Sequence, residues 1–131
     1  MNIWLDPTLS PRLARALADV LTPPDAAGHL RDVLGHDASD VHVADFLAAH
    51  PGSTVIGIDL DIAEQPHRLA VWRARPADGV LLTPAWLDLA PLTQAWMLIR
   101  RIEELRKKID PAHPAIWHVP PVNDGRIRKL R

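Results

Sequence analysis

The sequence predicts an α/β fold, a three-layer α/β/α arrangement around a mainly parallel central sheet, and three observations carry that expectation. Short apolar runs alternate with helical patterns along most of the chain. The run Ser53-Thr54-Val55-Ile56-Gly57-Ile58 is β-branched and nearly continuous in apolar character, as a strand covered on both faces requires. The length of 131 residues suits one domain, residues 1–131, without internal repeat or low-complexity segment.

The elements follow in order. Residues 2–5 read as a short buried strand ending at Asp6. Ser10-Pro11 opens a helix, with serine as N-cap and proline at the first helical position, and Leu13, Leu17, Val20 and Leu21 give it one apolar stripe. Thr22-Pro23-Pro24-Asp25 forbids its continuation and starts a loop. A second strand is expected at His29-Leu30-Arg31-Asp32-Val33. Ser39 caps the next helix, which runs through Val43, Phe46 and Leu47 to Pro51-Gly52. The strand at 53–58 ends in Asp59-Leu60-Asp61. A helix over 67–75, a strand at 79–83 and a long helix from Pro91 come next. In that helix Leu92, Trp96, Ile99, Ile102, Leu105 and Ile109 are expected to form the buried stripe, with Glu103–Lys107 and Glu104–Lys108 paired on the wet face. The chain closes on strand, turn and strand over 115–130.

Composition narrows the function. Hydrophobic residues make up 47% and charged residues 24%, a globular balance. The absence of cysteine excludes thiol catalysis, cysteine-ligated zinc and disulfides. No apolar run approaches the ~20 residues of a membrane span, and the first residues do not read as a signal peptide, so a cytoplasmic setting without membrane contact is expected. The net charge of −1 hides an asymmetry: residues 1–95 balance to −6 and residues 96–131 to +5. That permits a cation at one end and a polyanion at the other, or an ordinary dipolar surface.

Ligands of parallel sheets gather beyond the carboxyl ends of the strands. Asp6 and Asp59 close two strands, Asp61 follows, and Asp40 starts a helix facing the same rim if that helix leads straight into the 53–58 strand. Clustered carboxylates repel unless a cation neutralises them, and hard cations such as Mg²⁺ or Mn²⁺ prefer oxygen ligands. The plainer alternative is that Asp6 and Asp59 terminate strands and Asp40 caps a helix. The seven histidines, His118 among them, show no tight metal spacing and read as surface or turn residues. No GxSxG, GxxxxGK[ST] or GxGxxG is present. Trp86 and Trp117 are read as core, with base stacking as the alternative. Arg100, Arg101, Arg106, Lys107 and Lys108 are expected to line the exposed side of the long helix, and Arg126, Arg128, Lys129 and Arg131 to alternate along the last strand. Arg100, Arg101, Lys107, Lys108, Arg126 and Arg128 are the candidate nucleic-acid contacts, against the alternative of a solvated face.

Asp6-Pro7-Thr8-Leu9-Ser10-Pro11-Arg12-Leu13 resembles the opening of the PIN-like family, and within it the VapC-type toxins. The likeness continues through His29-Leu30-Arg31-Asp32, Asp40-Val41, Val55-Ile56-Gly57-Ile58-Asp59, Gln65-Pro66-His67 with Trp72, and Trp86, Gln94-Ala95-Trp96, Pro120-Pro121 and Gly125-Arg126-Ile127-Arg128. It implies a PIN-like fold and a metal-dependent ribonuclease, the toxin of a toxin–antitoxin pair. RNA would be its substrate, an antitoxin protein its partner, and a second copy of the chain a further partner. It also implies catalytic acids at Asp6, Asp40, Asp59 and Asp61: Asp6 and Asp59 holding Mg²⁺ or Mn²⁺, Asp40 acting through water or a second ion, and Asp61 as an outer or direct ligand. Pro7 departs from the pattern, since relatives often carry an acid or amide there, and the Asp32-to-Asp40 segment is longer than in compact members.

The sequence admits two rival readings. Asp59-Leu60-Asp61 after a strand also looks like the nucleophile motif of haloacid-dehalogenase-type phosphatases, but the residues after Asp61 lack the accompanying lysine and Asp-Asp set. The other is a PIN-like interaction module, weakly active or inactive, that binds RNA or a protein.

Overall fold

The computed structural model describes residues 1–130 and contains β1 (Asn2–Leu5), α1 (Pro11–Val20), β2 (Ala26–His29), α2 (Leu30–Leu34), α3 (Asp40–Ala48), β3 (Ser53–Ile58), α4 (Pro66–Ala74), β4 (Asp78–Leu82), a 3₁₀ turn at Pro84–Asp88, α5 (Pro91–Arg106), β5 (Ile116–Val119) and β6 (Arg128–Leu130). Arg131, the last of the basic residues, lies outside the described residues. The strands form one sheet in the order β2-β1-β3-β4-β5-β6, parallel except for the antiparallel edge strand β6. Among the described residues no helix is long and apolar enough to cross a membrane.

Side-chain alternation sorts the strands between two cores. Ile3, Leu5, Ile56, Ile58, Val80, Leu82, Trp117 and Val119 pack on one face with α1 and α5. Val55, Leu81 and Ile116 pack on the other with α3 and α4, through Val43, Leu47 and Trp72. Both expected caps form: Ser10 accepts from Arg12 N–H at 3.1 Å with Pro11 opening α1, and Ser39 makes a reciprocal capping box with His42.

Three expectations are corrected. The second strand lies at Ala26–His29, and Leu30–Leu34 is helical. Ala-Ala-Gly has little β propensity, so parallel pairing with β1 decides its conformation, and glycine at position 28 admits the Trp4 ring, which a Cβ would strike. On α5 the buried positions are Leu98, Arg101, Ile102 and Leu105, whereas Leu92 is 81% and Trp96 46% exposed. Trp96 is two residues, about 200°, around the helix from Leu98, so the two cannot share a core face. Arg101 is therefore buried rather than on the wet side, and Glu104 pairs with it at 2.6 Å instead of with Lys108. Trp86 and Trp117 are both core residues. Trp86, carried by the 3₁₀ turn, donates from Nε1 to the Val119 carbonyl at 2.9 Å.

Candidate functional site

From β1 the chain moves outward to β2, then crosses back to place β3 on the other side of β1. Where strand order reverses in this way, the connections part and leave a crevice at the carboxyl ends. The two strands flanking that crevice are followed by Asp6 and Asp59.

Asp6 N–H donates to the Ile56 carbonyl at 2.9 Å, which sets the residue beside Gly57. A Cβ at Gly57 would collide with the Asp6 carboxylate, so glycine is what lets that side chain lie across β3. Thr8 donates to Asp6 Oδ1 from its backbone N–H at 2.9 Å and from its hydroxyl. The same hydroxyl accepts from Ile58 N–H at 2.9 Å, tying the loop after β1 to β3. Burial pushes the Asp6 carboxyl above its ordinary range, against the opposing pull of the Thr8 hydrogen bonds and the Arg75 charge.

Asp59 N–H donates to the Leu82 carbonyl at 2.7 Å, extending the β3–β4 pairing by one residue. Its Oδ1 accepts from Ile62 N–H at 2.5 Å and Ala63 N–H at 3.2 Å, which closes the turn leading to α4. Its Oδ2 lies 3.4 Å from His118 Nε2. His118 Nδ1 faces the Arg128 guanidinium at 3.2 Å. A guanidinium only donates, so Nδ1 accepts and the imidazole proton is assigned to Nε2, toward Asp59.

Alternation places these groups on one side of the sheet. Val55, Leu81 and Ile116 face the α3/α4 core, and Gly57, Asp59, Thr83 and His118 stand at the same parity beyond them. Asp59 is two residues past Gly57, roughly 6.6 Å farther along β3 than the glycine on which Asp6 rests. Thr83 Oγ1 is buried there without a hydrogen-bond partner among the described residues.

The other expected residues are spread more widely. Asp40 begins α3 with its side chain 71% exposed, 3.9 Å from Arg75 Nη2. Asp61 is exposed in the turn after β3 with a left-handed φ of 65°, a conformation aspartate tolerates better than most residues. Pro7 is exposed in the β1–α1 loop. The structure thus draws Asp6 and Asp59 to neighbouring strand ends and leaves Asp40 and Asp61 around them. The basic residues divide as well. Arg126 and Arg128 are exposed at the carboxyl edge, Arg128 opposite His118 in the β5–β6 pairing. Lys107 and Lys108 are exposed just past the end of α5, at the amino edge of the sheet, where Arg106 and Ile109 line a cavity with Met1, Asn2 and Gly52. Arg100 is exposed along α5, and Arg101 is buried against the 120–125 loop.

The model of a family described as a PIN like domain matches residues 1–84, β1 to β4 with all four acids. The chain belongs to the PIN-like family. PIN-like domains are commonly nucleases, and the crevice between β1 and β3 of this PIN-like chain holds the half-buried Asp6 and the buried Asp59. The match stays at the level of the PIN-like group and names no toxin branch. No curated protein and no solved structure matches the chain.

Nucleases of this kind imply a divalent cation. Among the described residues no three or more His, Cys, Asp or Glu side chains are grouped to cage a metal ion. Mg²⁺ and Mn²⁺ do not need such a cage: Mg²⁺ in particular keeps several waters and is held by one or two carboxylates plus substrate oxygens. Asp6 carries a half-buried carboxylate whose desolvation its partners do not fully offset, Asp59 adds a second that is buried, and the Thr83 hydroxyl, without a partner among the described residues, marks a polar position left to be filled. The donor set fits a hard cation bound by a carboxylate pair.

Thr83 and Arg75 carried no functional signal in the sequence, Thr8 appeared only within the PIN-like opening, and His118, expected as a surface or turn residue, lies instead within β5 beside Asp59. For His118 a signal existed. Its i,i+2 relation to Ile116 puts it on the α3/α4 face, but only the strand order brings that face beside Asp59.

Proposed function

We propose that this PIN-like chain is a ribonuclease that hydrolyses RNA phosphodiesters at the carboxyl edge of its sheet, with Mg²⁺ or Mn²⁺ held by Asp6 and Asp59 and assisted through water by Asp40. The observation that supports the reading most is the pair of desolvated carboxylates on neighbouring strands at the reversal of strand order. A bound divalent ion supplies Lewis acidity at a phosphoryl oxygen and a hydroxide nucleophile near neutral pH. The chain's own residues do the positioning. Thr8 holds Asp6 Oδ1 and directs Oδ2 across Gly57, while the backbone of Ile62 and Ala63 fixes Asp59. His118 steadies Asp59 Oδ2, and Arg128 and Arg126 offer positive charge to the RNA backbone at the same edge. Asp61 stands at the rim as an outer acid. The resemblance of the sequence to VapC-type toxins suggests the biological role, the toxin of a toxin–antitoxin pair whose partner is an antitoxin protein.

The test is cleavage of a mixed total and transfer RNA pool by the purified chain with Mg²⁺, Mn²⁺ or EDTA. Cutting should require the ion and fall by about 10²-fold or more in Asp59→Asn. Asparagine keeps the Oδ1 acceptor for Ile62 and Ala63, so this variant should fold normally by circular dichroism. A toxin should also arrest growth when expressed, and Asp59→Asn should not. A folded wild-type chain that cuts nothing with either ion would sink the nuclease reading.

One observation favours a second reading. Both Asp59 oxygens already have protein partners, and Arg75 already faces Asp40. That arrangement suits an interaction module, which would bind RNA or a protein equally well as Asp59→Asn.

A further inference from the structure

The α3/α4 side of the site contains a cation of its own. Arg75 follows α4, and its side chain is only 10% exposed. Its guanidinium carbon lies 4.4 Å from the centre of the Trp72 ring. Nη2 is 3.9 Å from Asp40 Oδ1, within ion-pair range but beyond hydrogen-bond length. Nε and Nη1 are buried and have no partner among the described residues.

A guanidinium has five N–H donors and does not lose its charge in a protein. Burying one with idle donors is unfavourable unless nearby negative charge compensates. Burial pulls the Arg75 guanidinium below its ordinary range, and the charges of Asp6 and of Asp40, the latter 3.9 Å away, oppose that pull. The effect is mutual, since Arg75 also stabilises the charged form of Asp6. Trp72 supports the flat face of the guanidinium, and among the described residues no hydrogen bond locks Nε or Nη1 in place. The side chain is held by charge rather than by fixed geometry. It also lines a cavity of about 120 Å³ with Trp72, Ala77 and Ile116, space that a displaced guanidinium can use.

We propose that Arg75 is the resident counter-cation of Asp6 and Asp40 and competes with the divalent ion for their charge, so that it sets the metal affinity of the site. The inference rests on the reading that Asp6 and Asp59 hold such an ion. A divalent ion arriving beside Asp6 repels the guanidinium in a medium less polar than water. Arg75 must then turn away from the acids. Metal binding is weak while Arg75 faces the acids and strengthens once something else engages it. Arg75 is thus a positioning residue, acting on the metal through the shared carboxylates.

Mn²⁺ binding read by electron paramagnetic resonance of the free ion tests this without RNA or turnover. Arg75→Gln, which removes the charge, should bind Mn²⁺ about tenfold more tightly than wild type. Arg75→Lys, which keeps the charge, should stay within about twofold, a split that loss of packing alone would not produce. In the wild-type chain, the Arg75 Nε–Hε signal in ¹⁵N NMR, identified by its absence from Arg75→Lys, should shift saturably with Mg²⁺. This arm holds even if Arg75→Gln misfolds. Equal or weaker Mn²⁺ binding by a folded Arg75→Gln, with wild-type binding abolished by Asp6→Asn, would overturn the role of Arg75 and leave the metal site standing. A still Nε–Hε signal at Mg²⁺ saturation would overturn it too. Failure of wild type and all variants to bind Mn²⁺ would remove both the inference and the metal reading beneath it.

Discussion

Arg101 is the residue whose sequence position misleads most. It stands in an Arg-Arg pair on a helix rich in charge, the usual mark of a wet face. Three residues after Leu98, however, it falls on the buried stripe, and its guanidinium finds acceptors where the chain turns between β5 and β6. Nε donates to the Pro120 carbonyl at 3.0 Å, and Nη2 donates to the Pro121 and Gly125 carbonyls at 3.0 and 2.5 Å. These bonds fix the loop that delivers Arg126 and Arg128 to the carboxyl edge. Arg101→Ala leaves three carbonyls short of a donor, and we expect a loss of roughly 3 kcal/mol in urea unfolding. Arg101→Lys, lacking the planar fork, should recover only part of that loss. Periodicity alone could not reveal the role of Arg101, because the acceptors that satisfy it are backbone atoms about 20 residues away. Asp6 and Asp59 were legible for the opposite reason: a strand-ending aspartate is visible in local pattern. Arg75 carried no such local mark, and only the packing of α3 against α4 shows its charge turned toward the acids.

Elements were legible where their signals were local. The serine caps of α1 and α3 and the apolar run of β3 stand where the pattern put them, since capping and continuous burial need no distant partner. β2 and the 3₁₀ turn were not, because pairing with β1 and the seat of Trp86 decide them. The junction of β4 with β5 depends on another group of this kind. Asp78 opens β4, is buried, and accepts at Oδ1 from Ala115 N–H at 2.9 Å and Trp117 Nε1 at 3.3 Å. Desolvation raises its carboxyl above the ordinary range, and Asp110 adds to the rise, while its two hydrogen bonds and Lys129 oppose it. A carboxyl that holds its proton more tightly when folded lowers stability as pH climbs from the unfolded pKa through the raised folded one. Asp78→Asn keeps the Oδ1 acceptor and removes that loss, its amide reaching the cavity that Asp78 lines with Arg106 and Thr54. Its thermal midpoint should exceed wild type at pH 7, by a change on the order of 1 kcal/mol. The gap should close in acid below the ordinary carboxylate range. A constant gap across pH would mean that packing, not titration, separates the two proteins.

At the scale of the molecule, the sheet has a working end and a far end, and the basic residues fall at both. Arg126 and Arg128 share the carboxyl edge with Asp59 and His118, whereas Lys107 and Lys108 sit beyond α5 at the amino edge. Sequence order had joined them into one basic tail. The run of β5 from the amino to the carboxyl edge separates them by the height of the sheet. Charged side chains on an edge strand also discourage pairing with another sheet, and that role needs no RNA. The two roles part under salt. Each phosphate contact on a single strand contributes about 0.7 to the slope of log K against log salt. In an Asp59→Asn background, where RNA stays intact, Arg126→Ala with Arg128→Ala should lower that slope by about 1.4 in filter binding. Lys107→Ala with Lys108→Ala should leave it nearly unchanged, since those ammonium groups are at the other end of the sheet from the crevice. Equal losses from both pairs would mean that RNA follows net charge over the whole surface. A loss confined to the lysines would move the RNA path to the amino edge and separate binding from the carboxylates that the nuclease reading needs.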